Sequence, residues 1–221
     1  MATEPSAGTG MAAVRLCAGT LEVEHADQLL LDHLDPRNGY AVTAYDRLVT
    51  NGTAALVDGD LLAPNLIGAE VDRGRFLLLR ELVPRLAGIA DLPPVGLQDA
   101  GDDVLDVVAA LFAVLDDAPY AGRGVRGSIL SKVLHRKRPD LVPLYDSRIF
   151  ESYTAPGAIE RSVHRSWRAS MTLLLAQMRA DLQAEAVAFD TLVAVADSAG
   201  APLSRLRILD VLVWRTAEAW H

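Results

Sequence analysis

The sequence predicts a mainly α-helical protein, a single helical domain of about eight helices, and three observations support this fold class. Half of the 221 residues are hydrophobic but only 5% are aromatic, so small and medium aliphatic residues must fill the core. Among these residues, leucine and alanine favour helices. Apolar residues recur at helical spacing in several segments, and clusters of proline and glycine separate those segments.

The first half of the chain contains one weakly alternating stretch, residues 14–23, and five segments of helical character. The alternating stretch predicts a short strand or an extended entry. Pro84 predicts a kink or an early end in the fourth helical segment, and acidic residues favour the start of the fifth through the helix dipole. The five segments are Glu24–Leu34, Ala41–Val49, an element beginning near Asp58 or Asp60, Arg75–Ala87 and Asp102–Leu115.

The second half predicts four longer helices and one short helix that begins after Asp146 or Ser147. The stretch 141–145 is expected to be extended, because Pro143 disfavours a helical conformation in the residue before it. Pro139 ends the preceding helix. The longer helices are expected at Ser128–Arg138, Ser162–Leu182, Glu185–Ala196 and Ser204–Trp220.

The domain organisation expected from the sequence is a disordered leader over residues 1–12 and a single helical domain over residues 13–221. The segment 93–101 is treated as a loop rather than a linker. No apolar run reaches the ~20 residues of a membrane span, and the start of the chain lacks the features of a signal peptide. The lone Cys17 excludes an internal disulfide and fits a reducing compartment. We therefore expect a cytoplasmic protein with no membrane partner.

The charge is distributed unevenly along the chain. Residues 1–120 carry 7 basic and 19 acidic side chains, whereas residues 121–168 carry 10 basic and 4 acidic ones, within a formal net charge of −8. A charge block of this kind bears on the partners of a protein rather than on its fold. It directs the search for a functional site to the middle of the chain.

Residues 121–139, AGRGVRGSILSKVLHRKRP, hold six basic residues, one histidine and no acid, and they include both lysines of the chain. Glycines before a helix let backbone N–H groups approach a ligand, and a helix N-terminus favours an anion. We therefore predict a site for a phosphate-bearing ligand, with nucleic acid as one candidate. Its candidate residues are Gly122, Arg123, Gly124, Arg126, Gly127, Lys132, Arg136, Lys137 and Arg138.

Asp146 is the candidate catalytic residue, because it follows the basic helix and the extended stretch and opens the next helix. The same position is typical of a helix N-cap, which is the structural alternative. Other candidates near the site are Tyr120, His135, Tyr145 and Arg148. Neither a metal nor a cofactor is expected.

Two further patterns have structural interpretations. The Asp32–Asp35 cluster contains three potential metal ligands, but on a helix they would diverge rather than converge. Arg207 and Asp210 are three residues apart in the last helical segment, and we predict an ion pair between them. A basic helix end is also typical of a solvated or ion-paired face, so a purely structural role for residues 136–138 stays open.

The stretch GVRGSILSKVLHRKRPDLVPLYDSRI resembles an uncharacterised bacterial protein family and, more loosely, the helix–hairpin–helix DNA glycosylases. Gly127 and Asp146 are nineteen residues apart, with a helix and a proline-containing loop between them. The glycosylase resemblance implies that Gly124 and Gly127 belong to a phosphate-binding hairpin. It also implies that Asp146 stabilises positive charge on a sugar or orients a nucleophile. It assigns no nucleophile to Lys132, because Ser128 and Ile129 stand where the lysine of bifunctional members would be.

The leading hypothesis is a protein that binds a phosphate-bearing ligand and, if it is an enzyme, cleaves an N-glycosidic bond. Two alternatives stay open: a non-catalytic partner-binding or regulatory module, for example a homodimer in which the basic patch meets the acidic half, and an enzyme for a small anionic metabolite. A fold-level resemblance alone does not decide among them.

Overall fold

The computed structural model describes residues 13–40, 42–48, 55–117, 124–154, 159 and 166–218. Within these residues the chain forms a two-stranded hairpin followed by ten α-helices. The mainly α-helical fold class predicted from the sequence is confirmed. The predicted leader, residues 1–12, lies outside the described residues.

The weakly alternating stretch at the start forms an antiparallel hairpin of β1 (Val14–Leu16) and β2 (Leu21–Val23). Its turn contains Cys17 and Ala18 at φ 55° and 57°, a left-handed conformation that is uncommon for residues other than glycine. The carboxylate of Asp181 accepts hydrogen bonds from both backbone N–H groups, at 2.7 and 3.3 Å. A contact from the far end of the chain therefore stabilises this turn.

The first half of the chain forms five short helices. The fourth ends at Leu82, and a 3₁₀ helix (Val83–Ile89) continues through the predicted break at Pro84. Another 3₁₀ segment (Ala63–Ile67) follows the third helix. The five helices are α1 (Ala26–Leu34), α2 (Val42–Asp46), α3 (Asp58–Leu62), α4 (Arg73–Leu82) and α5 (Asp102–Phe112).

The second half forms the longer helices that were expected, with boundaries shifted by a few residues. Ser166 caps the longest of them, because its hydroxyl accepts a hydrogen bond from the backbone of Ala169. The five helices are α6 (Gly127–His135), α7 (Ser147–Tyr153), α8 (Trp167–Ala184), α9 (Ala186–Ser198) and α10 (Arg205–Glu218).

Helix α10 is the centre of the packing. Residues 206–213 are all buried, and the helix contacts α1, α7, α8, α9 and β2. A helix that is buried on all sides should be apolar on all sides, yet α10 carries Arg207 and Asp210 among these residues. Burying a charged group is costly unless it is paired or hydrogen-bonded, so the neighbours of Arg207 and Asp210 are described below.

The stretch 141–145, predicted to be extended, begins with a turn at residues 141 and 142 and has no regular secondary structure at residues 143–145. This segment runs between α6 and α10, and side chains of both helices bind its backbone. From α6, Ser131 accepts the N–H of Tyr145 at 2.9 Å, and His135 Nδ1 donates to the carbonyl of Val142 at 2.6 Å. From α10, Asp210 Oδ2 accepts the N–H of Leu144 at 3.0 Å. These bonds satisfy a buried backbone outside regular structure, and they bring the start of α7 against α6 and α10.

No helix in the described part of the chain combines the length and the apolar character that a membrane crossing requires.

Candidate functional site

A cavity of about 300 Å³ lies between α1, α6, α7, α10 and the Ala63–Ile67 segment. This volume is at the lower end of the range for small-molecule sites. Most of the lining is apolar or aromatic: Gly39, Tyr40, Leu66, Ile67, Gly68, Leu144, Ile149, Val211 and Trp214. Five polar side chains complete it: His33, Lys132, Asp146, Arg207 and Asp210.

Lys132 is one of the buried ionisable residues of this cavity. It is only 6% exposed, and neither a hydrogen bond nor an ion pair of its ammonium group is present among the described residues. Burial lowers the pKa of Lys132, although the charge of Asp146 acts in the opposite direction. A lowered pKa increases the fraction of lysine present as the neutral amine, which is the nucleophilic form.

Asp146 has two roles in the structure. Its Oδ1 accepts the backbone N–H of Ile149 at 2.9 Å and caps α7, as the structural alternative predicted. Its carboxylate also lines the cavity that contains Lys132. The N-cap fixes the orientation of the carboxylate, so capping and a chemical role are compatible at this residue.

Asp210 is the third ionisable group of the cavity, and it is 1% exposed. Its Oδ2 accepts the N–H of Leu144, and Oδ1 has no hydrogen-bond partner among the described residues. Burial raises the pKa of Asp210 to about 8, against the lowering effects of Arg207 and the Leu144 N–H. The group is therefore a neutral carboxylic acid at neutral pH.

The predicted ion pair between Arg207 and Asp210 does not form. Arg207 instead binds Asp46 of α2, with Nε 3.1 Å from Oδ1. Asp210 instead accepts a hydrogen bond from the backbone of Leu144. Helical spacing predicted Asp210 as the partner of Arg207, because it is near in the sequence. The tertiary structure instead brings Asp46 of α2 next to the guanidinium group.

Aromatic rings form one wall of the cavity. The His33 and Tyr40 rings are stacked with centroids 4.6 Å apart, and Trp214 meets Tyr40 edge to face at 5.9 Å. Burial lowers the pKa of His33 to about 3, and the charges of Arg207 and Arg215 lower it further. His33 is therefore neutral at neutral pH. Two cations also contact this wall, because Arg215 lies 4.7 Å from the centroid of the Tyr40 ring and Arg148 lies at the same distance from that of Trp214.

The three cations at the end of α6 bind groups of the protein itself. Arg136 donates to the carbonyls of Tyr45 and Leu48, and Arg138 donates to Ala90 and Leu92 at 2.8 and 3.0 Å. Lys137 Nζ lies 2.6 Å from Oδ2 of Asp60, and both side chains are buried. This differs from the anion-binding prediction for Arg136, Lys137 and Arg138 and agrees with its structural alternative.

The glycine turn before α6 does not belong to the cavity lining among the described residues. Gly124 has φ 94°, which favours glycine. Gly127 is closely packed, because a Cβ there would overlap the Trp167 ring. Arg126 is exposed and precedes the first turn of α6, which has no side-chain cap. Gly122 and Arg123 lie outside the described residues, so the phosphate-binding hairpin stays a prediction.

Three of the remaining candidates belong to the described residues, and none of the three lines the cavity. Tyr145 is half-buried and contacts Trp167 edge to face at 5.5 Å. Arg148 lies 4.7 Å from the centroid of the Trp214 ring, and a cation is favourable over such a ring. His135 is buried, and burial lowers its pKa to about 4. Tyr120 lies outside the described residues.

No sequence pattern predicted a catalytic or ligand-binding role for five residues that line the cavity: His33, Tyr40, Arg207, Asp210 and Trp214. One signal was available: Arg207 and Asp210 interrupt a helix whose other positions between 206 and 213 are apolar. Their neighbours in space were not available, because α1 and α10 are far apart in the chain. The described residues contain no cluster of three or more potential ligands that could hold a metal ion.

Comparison with known proteins identifies one family. The model of a family of unknown function, DUF6308, matches residues 25–217. No curated protein matches the chain. No solved structure matches it.

Proposed function

We propose, for this chain as a member of the DUF6308 family of unknown function, that the cavity is an active site that cleaves an N-glycosidic bond. The observation that carries the proposal is that Lys132, which is 6% exposed and whose amine has no hydrogen bond or ion pair among the described residues, lines one cavity with Asp146. Lys132 is the nucleophile, and Asp146 stabilises the positive charge that develops on the sugar. Tyr40 and Trp214 contact the base.

The energetics of Lys132 support a chemical role over a purely structural one. Burying a polar group without a hydrogen bond costs stability, and apolar side chains of similar length fill such positions without that cost. Lys137 shows the contrasting case in the same helix region, because its buried amine is paired with Asp60 at 2.6 Å. The difference between the two lysines favours an enzyme over the alternative of a non-catalytic module.

The proposed reaction is a displacement at the anomeric carbon. The neutral amine of Lys132 forms a bond to C1′, the bond from C1′ to the base breaks, and the electron pair leaves with the base. Asp146 takes the proton that the substituted amine loses and transfers it to the departing base, so the base leaves as a neutral molecule. Hydrolysis of the new carbon–nitrogen bond then restores the amine, so the net change is the addition of one water across the glycosidic bond. Covalent catalysis by a lysine of lowered pKa has this general form.

The substrate is a nucleoside unit within a nucleic acid or within a small phosphate-bearing molecule. The exposed Arg126 and the uncapped first turn of α6 support a contact with phosphate. Duplex binding that falls steeply with salt would indicate nucleic acid, since phosphate neutralisation releases counterions.

The test is reductive trapping with sodium borohydride on two probes, DNA containing an abasic site and deoxyribose 5-phosphate. Both carry an aldehyde at the position of C1′, so an amine placed for attack forms an imine that borohydride fixes. The chain has two lysines, so peptide mass mapping assigns the adduct without ambiguity. We expect the adduct on Lys132 and its loss in Lys132→Met. Adducts confined to other amines, or no adduct with either probe, would refute the proposal.

The variant Asp146→Asn separates the carboxylate from the cap. Asparagine is also a good N-cap, so the fold should persist while trapping slows by about tenfold or more, a typical effect of losing a charged catalytic group. Asp72→Asn is the matched control, because Asp72 caps α4 through the N–H of Arg75 at 2.8 Å and does not line the cavity. Equal trapping rates in both variants would leave Asp146 as a cap only.

A further inference from the structure

Only one of the two oxygens of the Asp210 carboxyl group is hydrogen-bonded among the described residues. Its Oδ2 holds the N–H of Leu144, whereas Oδ1 is buried and has no partner among the described residues. Most buried polar atoms in proteins have a partner, and an exception calls for an explanation such as a ligand. Because Asp210 lines the cavity, a bound guest can supply that partner.

The bond to Leu144 decides which oxygen carries the proton. An N–H donor needs a lone pair on Oδ2, and a hydrogen atom on that oxygen would compete with it. The proton of the neutral acid therefore resides on Oδ1. Asp210 thus presents an O–H donor to the cavity, and the hydrogen bond from the Leu144 N–H fixes the orientation of the carboxyl group.

The surrounding charges keep this acid neutral. Asp146, before α7, and Asp46, from α2, face Asp210 and disfavour a further negative charge, as burial does. Arg207, from α10, opposes them, but Asp46 already pairs with it at 3.1 Å. Lys132, from α6, and His33, from α1, complete the ionisable lining, and burial disfavours the charged form of each.

We infer that Asp210 is the specificity-determining residue of this cavity and that its Oδ1–H donates a hydrogen bond to a lone-pair acceptor on the bound base. The inference rests on the proposed function, since it takes a nucleobase as the occupant. The acceptor is a ring nitrogen or a carbonyl oxygen. A guest that offers only donors or apolar atoms at this point leaves the buried O–H unpartnered and is rejected.

The experiment measures the binding of free nucleobases to the full chain by calorimetry. Adenine, guanine, cytosine and uracil are tested at about pH 6.5, and the base that binds most tightly is then tested up to about pH 8.5. We expect its affinity to fall about fourfold over this range, because with a pKa of about 8 the protonated fraction of Asp210 drops to about a quarter, and the ionised carboxylate has no proton to donate.

Asp210→Asn is the decisive variant. Its amide oxygen can accept the N–H of Leu144, and its NH₂ group then donates from the position of Oδ1. We expect affinity within about threefold of the wild type at low pH, and no loss of affinity at high pH. Asp72→Asn, whose side chain does not line the cavity, should keep the pH dependence of the wild type.

Two results would overturn the inference: the same pH dependence in the wild type and in Asp210→Asn, or no binding of any of the four bases. Borohydride trapping tests the proposed function independently of this measurement. Trapping on Lys132 without pH-dependent base binding would refute the role of Asp210 and retain the enzyme. Base binding that depends on Asp210 without trapping would refute lysine catalysis and retain the recognition of the base.

Discussion

The two lysines of the chain have buried side chains in very different surroundings. Lys132 is 6% exposed and has no partner for its amine among the described residues. The side chain of Lys137 is 4% exposed and binds Asp60, whose side chain is fully buried. Because breaking a buried ion pair leaves one charge uncompensated, the two residues should respond in opposite ways to the same substitution.

We predict that Lys132→Met raises the free energy of unfolding by about 1–3 kcal/mol, because it removes an uncompensated polar group and keeps the side-chain length. Lys137→Met should lower it by about 3–5 kcal/mol, because Asp60 loses its buried partner. Urea unfolding of both variants measures these changes. Destabilisation by Lys132→Met would indicate that the amine has a structural partner, contrary to its proposed role.

At the scale of the element, α6 and residues 141–145 after it position Lys132 and Asp146 in the cavity. Ser131 and His135 on α6 bind the backbone of residues 141–145, and Gly127 at its start packs against Trp167 of α8. Trp167 in turn contacts Tyr145, directly before Asp146. The close packing against Trp167 therefore explains why position 127 is glycine without any contact to a phosphate.

We predict that Gly127→Ala destabilises the protein by about 1–3 kcal/mol, the usual cost of overpacking. The new methyl group would overlap the Trp167 ring, which must move. Gly88→Ala is the control, since its Cβ would meet only Leu111 Cδ2, at 3.9 Å. Urea unfolding compares the two, and equal stabilities would show that the contact between α6 and α8 adapts without cost.

At the scale of the whole molecule, buried ionisable groups link stability to pH. Burial lowers the pKa of His33 to about 3 and that of His135 to about 4. Both are neutral in the folded state and become protonated near pH 6.5 when the chain unfolds. Their contribution to stability is thus complete above about pH 6.5 and is lost as the pH falls towards 4. The raised pKa of Asp210 acts in the opposite direction, because its contribution is lost as the pH rises towards 8.

We predict that His33→Phe reduces acid destabilisation. Phenylalanine keeps a ring between Tyr40 and Trp214 and removes the titrating nitrogens, one of which, Nδ1, is buried without a partner among the described residues. Relative to the wild type, the variant should gain about 2–3 kcal/mol between about pH 7 and pH 4.5. Urea unfolding at several pH values measures this gain. A difference that stays constant over the range would contradict the role assigned to His33.

Local patterns predicted the elements whose causes are local. The acidic start of α5, the break after Leu82 before Pro84, and Asp146 as the cap of α7 were all visible in the chain. The turn at Cys17 and Ala18 was not, because its left-handed conformation is stabilised by Asp181, which lies more than 160 residues away in the sequence. The same holds for Arg207, whose partner is Asp46 rather than Asp210.

The sequence by itself determined the helical class, most helix positions and the segment that carries Lys132 and Asp146, since spacing, caps and breaks act within a few residues. Only the tertiary structure decided that Lys132 is unpaired and Lys137 paired, and that Asp210 shares the cavity with Lys132. Burial and the distances between charges depend on contacts between distant segments. Those contacts determine the protonation state of each group and therefore the chemistry available to the site.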